Sequence, residues 1–361
     1  MKKKILIIDD SALMRRVVCD IISHDNRFEV KDTAANGQEG LSMLKANTYD
    51  AVVMDMVMPK MDGLTVLREL QKSRMRVKVL VFSTETTEGA DITLEALELG
   101  AVDFVHKPAS IMGARSDEFA KRFLDRLYEV CQSSGSYQPA VKAAGFTAAR
   151  NPQPVTVANP PKASSVRSSG KKIVAIASST GGPKALQSVI PLIPENIDAP
   201  VLIVQHMPAG FTASLAQRLD TVSPMRVVEA AENMEILSGT AYIAPGGKHM
   251  HIVQKGSGHF VHLSDAPHRE GVKPCANYMY ESLAECGYGD IVCVVMTGMG
   301  ADGTEGISNL KPAKNCYVIT QDQPTCAVYG MPRAAVVKGL SDEVEPLENL
   351  ASAIIKRVGV K

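Results

Sequence analysis

VAIASSTGGPK, residues 174–184, decides how the C-terminal half of this chain reads. An apolar run rich in β-branched residues stops at two serines, followed by Thr180, two glycines and Pro183. The run predicts a buried strand, the double glycine a tight turn, and the proline a first helical position. A strand that turns sharply into a helix with a hydroxyl at the corner suits a nucleophile, although the G-x-S-x-G elbow is absent. Ser179 lies immediately before the turn, where helix N–H groups would face a developing oxyanion. Ser178 continues the strand and alternates to the other face. Position therefore favours Ser179 and leaves Ser178 as the alternative. Such a loop also serves elsewhere as an N-cap or a phosphate cradle.

Three further runs, 200–205, 291–297 and 316–320, resemble 172–178 in their β-branched content and bounding turn residues. They predict a parallel α/β core over residues 171–361. Three polar groups follow three of these strands: Ser178 and Ser179, His206 in VQHMP, and Asp302 in MTGMGADG. A parallel sheet gathers the carboxyl ends of its strands, so groups far apart in sequence meet there. Serine, histidine and aspartate are what acyl transfer needs: a nucleophile, a base, and an acid that holds the imidazole. The order Ser, His, Asp differs from that of the α/β-hydrolases. TAYIAPGGKHMHIV, residues 240–253, reads as an antiparallel hairpin turning at Gly246-Gly247. His249 and His251 share a strand face there, but no cysteine or acid pattern completes a metal site.

Residues 1–131 show five alternations of strand and helix. Apolar runs fall at 3–9, 28–33, 50–55, 77–82 and 101–106, with helical periods at 12–23, 38–46, 64–72, 89–99 and 117–131. This predicts a second doubly wound parallel sheet with helices on both faces. Asp9 and Asp10 end the first strand, Asp55 the third, Ser83 and Thr84 the fourth, and Lys107 follows the fifth. Carboxylates brought together repel unless a cation intervenes. A hard ion with oxygen ligands, Mg²⁺ above all, answers that need. A lysine and a hydroxyl beside them suit a phosphoryl group.

Between the two halves, residues 132–170 hold five prolines, no acid and no apolar period, which predicts a flexible linker. Lysine plus arginine equals aspartate plus glutamate at 39 each, against a general nucleic-acid binder. The N-terminal apolar run is too short for a signal peptide. No stretch reaches the ~18–20 apolar residues of a membrane span. Seven scattered cysteines without a C-x-x-C pair suit reduced thiols, and the expected location is cytoplasmic.

The motifs LIIDDSALMR, VVMDMVMPKMDGL, FSTET and DFVHKP resemble the receiver domain of two-component response regulators over residues 1–125. The resemblance implies a flavodoxin-like fold and phosphorylation of Asp55 by a histidine kinase. It implies that Asp9, Asp10, Asp55 and the Val57 carbonyl place Mg²⁺, that Ser83 and Lys107 form the switch, and that Lys107–Pro108 is cis. Many receivers carry a polar residue where Val57 stands. ASSTGGPKAL, VQHMPAGFT, APGGKHM, MTGMGADGTEG and PTCAVYGMPRAA resemble the chemotaxis protein-glutamate methylesterase family, CheB, over 171–355. The resemblance implies Ser179 as nucleophile, His206 as base, Asp302 as its partner, and the amides of Thr180 and Met299 as oxyanion hole. It implies γ-glutamyl methyl esters on chemoreceptor helices as substrates, with glutamine deamidation allowed, and no cofactor for the esterase. Where the family commonly has Gly-Ala, this chain has Ala177-Ser178. The expectation is thus two α/β domains, 1–125 and 171–361, with the receiver gating the esterase. Its rival is a response regulator whose output domain binds a nucleotide or partner without chemistry.

Overall fold

The computed structural model describes residues 1–84, 86–108, 113, 116–133 and 171–361. Of the expected linker, only Gln132, Ser133 and none of 134–170 fall within the described residues.

In the N-terminal half, β1 (Lys3–Ile8), β2 (Phe28–Ala34), β3 (Ala51–Asp55), β4 (Val79–Ser83) and β5 (Asp103–His106) form one sheet, in the order β2-β1-β3-β4-β5. All its pairs are parallel. Helices α1 (Ala12–Ser23), α2 (Gly37–Ala46), α3 (Gly63–Lys72) and α4 (Thr87–Glu98) cross between strands, and α5 (Asp117–Gln132) follows the last. β3 and β4 are buried at every position, which is why their sequences are continuous apolar runs rather than alternating ones. The helices begin where side-chain oxygens can take a free N–H: Ser11, Asn36, Asp62, Thr86 and Ser116 each accept one from the first turn. Strand order reverses between β1 and β3, and Asp9 and Asp55 stand at that crevice. This is the expected flavodoxin-like sheet. The Lys107–Pro108 bond is not cis; among the described residues only Lys273–Pro274 is. Lys107 reaches its acidic partners from the trans bond.

The C-terminal half is built on seven strands: β6 (Lys171–Ser178), β7 (Val201–Gln205), β8 (Arg226–Glu229), β9 (Thr240–Ile243), β12 (Tyr288–Val295), β13 (Asn315–Gln321) and β14 (Glu343–Glu345). Their order is β14-β13-β12-β6-β7-β9-β8, and every neighbouring pair is parallel. Helices α6 (Gly182–Val189), α7 (Phe211–Val222), α8 (Ala276–Ser282), α9 (Thr304–Leu310), α10 (Met331–Val337) and α11 (Leu350–Val358) pack around this sheet. The chain leaves β6 on one side through β7 and returns on the other through β12. The carboxyl end of β6 is therefore the switch point of the sheet, where α/β folds hold their ligands.

The antiparallel hairpin exists, but not where the double glycine suggested. β10 (His249–Lys255) pairs with β11 (Gly258–Ser264) across a turn at Gly256-Ser257. Gly246 instead lets the chain pass the loop after β7: a Cβ there would lie 2.2 Å from the Pro208 carbonyl carbon and oxygen. Its N–H donates to Thr212 Oγ1 at 2.9 Å. The glycine pair marks a close backbone approach beside the His206 loop, which a sequence cannot distinguish from a turn.

Gly246→Ala is expected to lower the melting temperature of the catalytic half by several degrees, because backbone rather than a yielding side chain blocks the new methyl. Thermal unfolding followed by circular dichroism checks this; an unchanged transition would show that the approach is not tight.

Candidate active site

Ser178 ends β6 and Gln205 ends β7, paired in parallel register, so Ser179 and His206 leave adjacent strands side by side. His206 N–H donates to the Ser178 carbonyl at 3.1 Å. Gln205 is wholly buried and braces the corner: its Oε1 accepts from Ser178 Oγ at 2.7 Å, and its Nε2 donates to the Ser179 carbonyl at 2.9 Å. The turn that follows needs both glycines. Gly181 has φ 75°, and a Cβ on Gly182 would lie 2.0 Å from Gln205 Oε1. The Ser178 hydroxyl is thus committed to Gln205.

Asp302 sits beyond β12, at the start of α8 rather than of its own helix. Its Oδ1 accepts from the Asn277 N–H at 3.0 Å, the Gly303 N–H at 2.8 Å and Cys275 Sγ at 3.0 Å. Its Oδ2 accepts from the Ala276 N–H at 2.6 Å and faces His206 Nε2 at 2.7 Å. Burial raises the Asp302 pKa, but the imidazole, the thiol and the backbone N–H overcome it and hold the carboxyl at about 2. Asp302 is therefore a fixed charge that orients His206 through Nε2 and leaves Nδ1 on the other side of the ring. The Ser179 hydroxyl has no hydrogen-bond partner among the described residues. The structure thus joins His206 to Asp302, with Ser179 on the neighbouring strand end and not bonded to the imidazole. Gly298, which precedes Met299, abuts Ser179, since a Cβ on it would lie 2.7 Å from the Ser179 Cβ. No metal cluster involving His249 or His251 occurs among the described residues. His249 is bonded to Pro267 and Cys275, and His251 to Ser264.

Gln205 and Cys275 were not singled out from the sequence. Gln205 was detectable as a polar residue closing an apolar strand. Cys275 and Asn277 gave no signal, because they meet Asp302 only through the packing of α8 against α9.

In the receiver, carboxylate oxygens of Asp9, Asp10 and Asp55 lie within 4.8 Å of one another, a set of hard oxygen donors that fits a divalent ion. Lys107 Nζ stands 2.9 Å from Asp9 and 2.5 Å from Asp55. Burial raises the Asp55 pKa; Lys107 opposes this and Asp9 adds to it. Ser83 is buried away from them, accepting from Thr93 Oγ1 at 2.6 Å under α4.

The receiver covers the loop that carries Ser179 and Thr180. Ser179 is 4% exposed and Thr180 1%. Thr180 Oγ1 lies 2.7 Å from Asp103 Oδ2 and 2.9 Å from Glu129 Oε2, and Arg126 donates to it. Phe104 stacks on Phe211, centroids 4.9 Å apart, and Arg218 grips Glu98 with two nitrogens at 2.9 and 3.1 Å.

Residues 174–354 match the CheB methylesterase family and residues 5–113 the response regulator receiver domain. A Geobacillus kaustophilus protein named protein-glutamate methylesterase/protein-glutamine glutaminase is 38% identical over 356 residues, covering 99% of both chains. A Bacillus subtilis protein of the same name is 37% identical over 355 residues, 97% of each. The crystal structure of the Thermotoga maritima CheB methylesterase catalytic domain is 40% identical with a TM-score of 0.50, covering 52% of this chain and 99% of that one. The chain belongs to the CheB methylesterase family, with a response regulator receiver domain at its N-terminal end.

Proposed function

We propose that this protein hydrolyses γ-glutamyl methyl esters on the cytoplasmic helices of chemoreceptors under control of its receiver, and deamidates glutamine there by the same route. The observation that carries the reading is the buried Asp302–His206 pair beside Ser179 at the switch point of the sheet. Ser179 Oγ attacks the ester carbonyl while His206 Nδ1 takes its proton. Asp302 steadies the imidazolium. The amides of Thr180 and Met299 receive the oxyanion. The C–O bond then breaks, and methanol leaves with the proton returned by His206. Water, deprotonated by the same imidazole, releases glutamate from the acyl-serine. With glutamine the leaving group is ammonia. A non-catalytic binding role would give no use to a carboxylate held by four donors against one histidine.

In the receiver, the Asp55 carboxylate takes the phosphoryl group from a kinase phosphohistidine: a P–O bond forms and the P–N bond breaks. Asp9, Asp10, Asp55 and the Val57 carbonyl would hold Mg²⁺, which would neutralise charge there when bound. Lys107 leaves its ion pair with Asp55 for the phosphoryl oxygens, and Ser83 turns toward them, drawing on α4. Helix α4 carries Glu98, so this movement loosens the receiver's hold on Arg218 and Gln187 of the catalytic half. The resting protein is then an esterase with its own regulator on the site, working in the cytoplasm where kinase and receptor helices meet. The receiver unit in this division runs through α5 to Gln132, seven residues beyond the expected limit of 125, and the catalytic unit from Lys171 to Lys361.

Ser179→Ala abolishes methanol release from methylated receptors, whereas Ser178→Ala keeps the fold and much of the rate; the reverse outcome would assign the nucleophile to Ser178. Asp302→Asn lowers kcat by about 10⁴, as an amide in this place favours the wrong imidazole tautomer. A near-normal rate in folded Asp302→Asn protein would remove Asp302 from the triad. A small phosphodonor with Mg²⁺ raises the rate of the full-length protein and has no effect on Asp55→Ala. A fragment starting near Lys171 outpaces the resting protein; a fragment no faster would contradict occlusion.

A further inference from the structure

The two faces that meet over the nucleophile loop differ in charge. From the receiver come Glu98, Asp103 and Glu129, with Arg126 paired internally to Asp103 at 2.8 Å. From the catalytic half come Arg218, Gln187, Phe211 and the Thr180 loop. Glu98 is held twice over, by the Arg218 fork and by Gln187 Nε2 at 2.8 Å. Lys184 lies on the same face of α6, three residues before Gln187, half-buried and without an ion pair among the described residues. Burial alone lowers its pKa, with no carboxylate opposing. The catalytic face thus offers two cations, of which the receiver satisfies one.

Glu129 stands in the last turn of α5 with its carboxyl buried against Thr180. Thr180 Oγ1 has one proton to give and two lone pairs to fill. It accepts from Arg126 and faces both Asp103 Oδ2 and Glu129 Oε2, and its one proton serves only one of these two carboxyls at a time. Burial pushes the Glu129 carboxyl up to about 7; Asp103 adds to this, while Arg126 and Thr180 oppose it. A neutral glutamic acid on a helix has nearly the shape and polarity of a glutamyl methyl ester or a glutamine on a helix.

We propose that the face formed by Lys184, Gln187, Phe211 and Arg218 is the docking surface for an acidic substrate helix, and that the receiver closes it by imitation, with Glu129 in the place of the scissile side chain and Glu98 in that of a flanking acid. This rests on the esterase reading for the identity of the scissile group. Burying Arg218 and Lys184 under a neutral partner leaves desolvated cations unpaired, so the face selects carboxylates. Because the receiver leaves Lys184 unmatched, a substrate with an acid at that place makes one contact that the receiver lacks.

The test is binding, measured apart from hydrolysis. Two fluorescein-labelled receptor-helix peptides are compared, one with its native glutamates and one with the flanking glutamates replaced by glutamine. Fluorescence anisotropy gives Kd for the full-length protein with phosphodonor and Mg²⁺. The wild type binds the acidic peptide about tenfold more tightly, the size expected of two partly exposed ion pairs. Arg218→Glu and Lys184→Ala reduce that preference, Arg218→Glu nearly to none. Glu98→Arg added to Arg218→Glu restores the closed resting state, read as a low methanol-release rate without phosphodonor, and does not restore the peptide preference. Equal affinity of the wild type for both peptides, or a preference that survives Arg218→Glu, would overturn the proposal. Binding with this preference but without methanol release would instead count against the esterase reading and leave the docking surface standing.

Discussion

A carboxylate taken out of water stays charged only if the protein replaces its hydration. Asp302 is 2% exposed, and three backbone N–H groups and a thiol do that for it before His206 is counted. Everything at the site follows from where those donors lie. Two come from the first turn of α8, so α8 must pack at the mouth of β12. Asn277 secures that packing, its Oδ1 accepting from Gly303 N–H at 3.0 Å and Gly306 N–H at 2.7 Å. The anchored charge fixes the imidazole, and the β6–β7 register then decides which serine stands beside it. Gln205 occupies the hydroxyl of the other one.

The loop that carries Ser179 is the one the receiver holds, through the Thr180 side chain against Asp103, Arg126 and Glu129. Under the proposed mechanism the same residue would offer its backbone N–H to the oxyanion. The described contacts between the two halves include the polar cluster at Thr180, the Phe104–Phe211 stack and the bonds of Arg218 and Gln187 to Glu98. Under the proposed control the trigger is local to Asp55 and Lys107, which form a close ion pair in the resting protein.

Much of this was legible in the sequence because burial leaves a plain record. Continuous apolar runs marked β1, β3, β4, β6, β7, β12 and β13, and the polar residues that close or follow several of them, Asp9, Asp55, Ser83, Ser179, His206 and Asp302, stood out as candidates for the chemistry. What escaped had physical reasons. β8 and β14 lie at the sheet edges, are three or four residues long and carry charges such as Arg226, Glu229, Glu343 and Glu345, so they look like loops. Gly246 serves a close approach to Pro208, while the hairpin turns ten residues later at Gly256. Cys275 and Asn277 support Asp302 from about 25 residues upstream, a distance that only the tertiary fold closes. The interface pairs Arg218–Glu98 and Thr180–Glu129 join separate domains, and no periodicity within either half encodes them.

The central claim is that Ser179 is a nucleophile activated by the Asp302–His206 pair and masked by the receiver. Labelling by a fluorophosphonate serine probe, located by peptide mass spectrometry with and without phosphodonor, tests it most directly. The account predicts modification at Ser179 alone, faster with phosphodonor and absent in His206→Ala. Modification at Ser178, or a rate at Ser179 that ignores both the phosphodonor and His206, would contradict it.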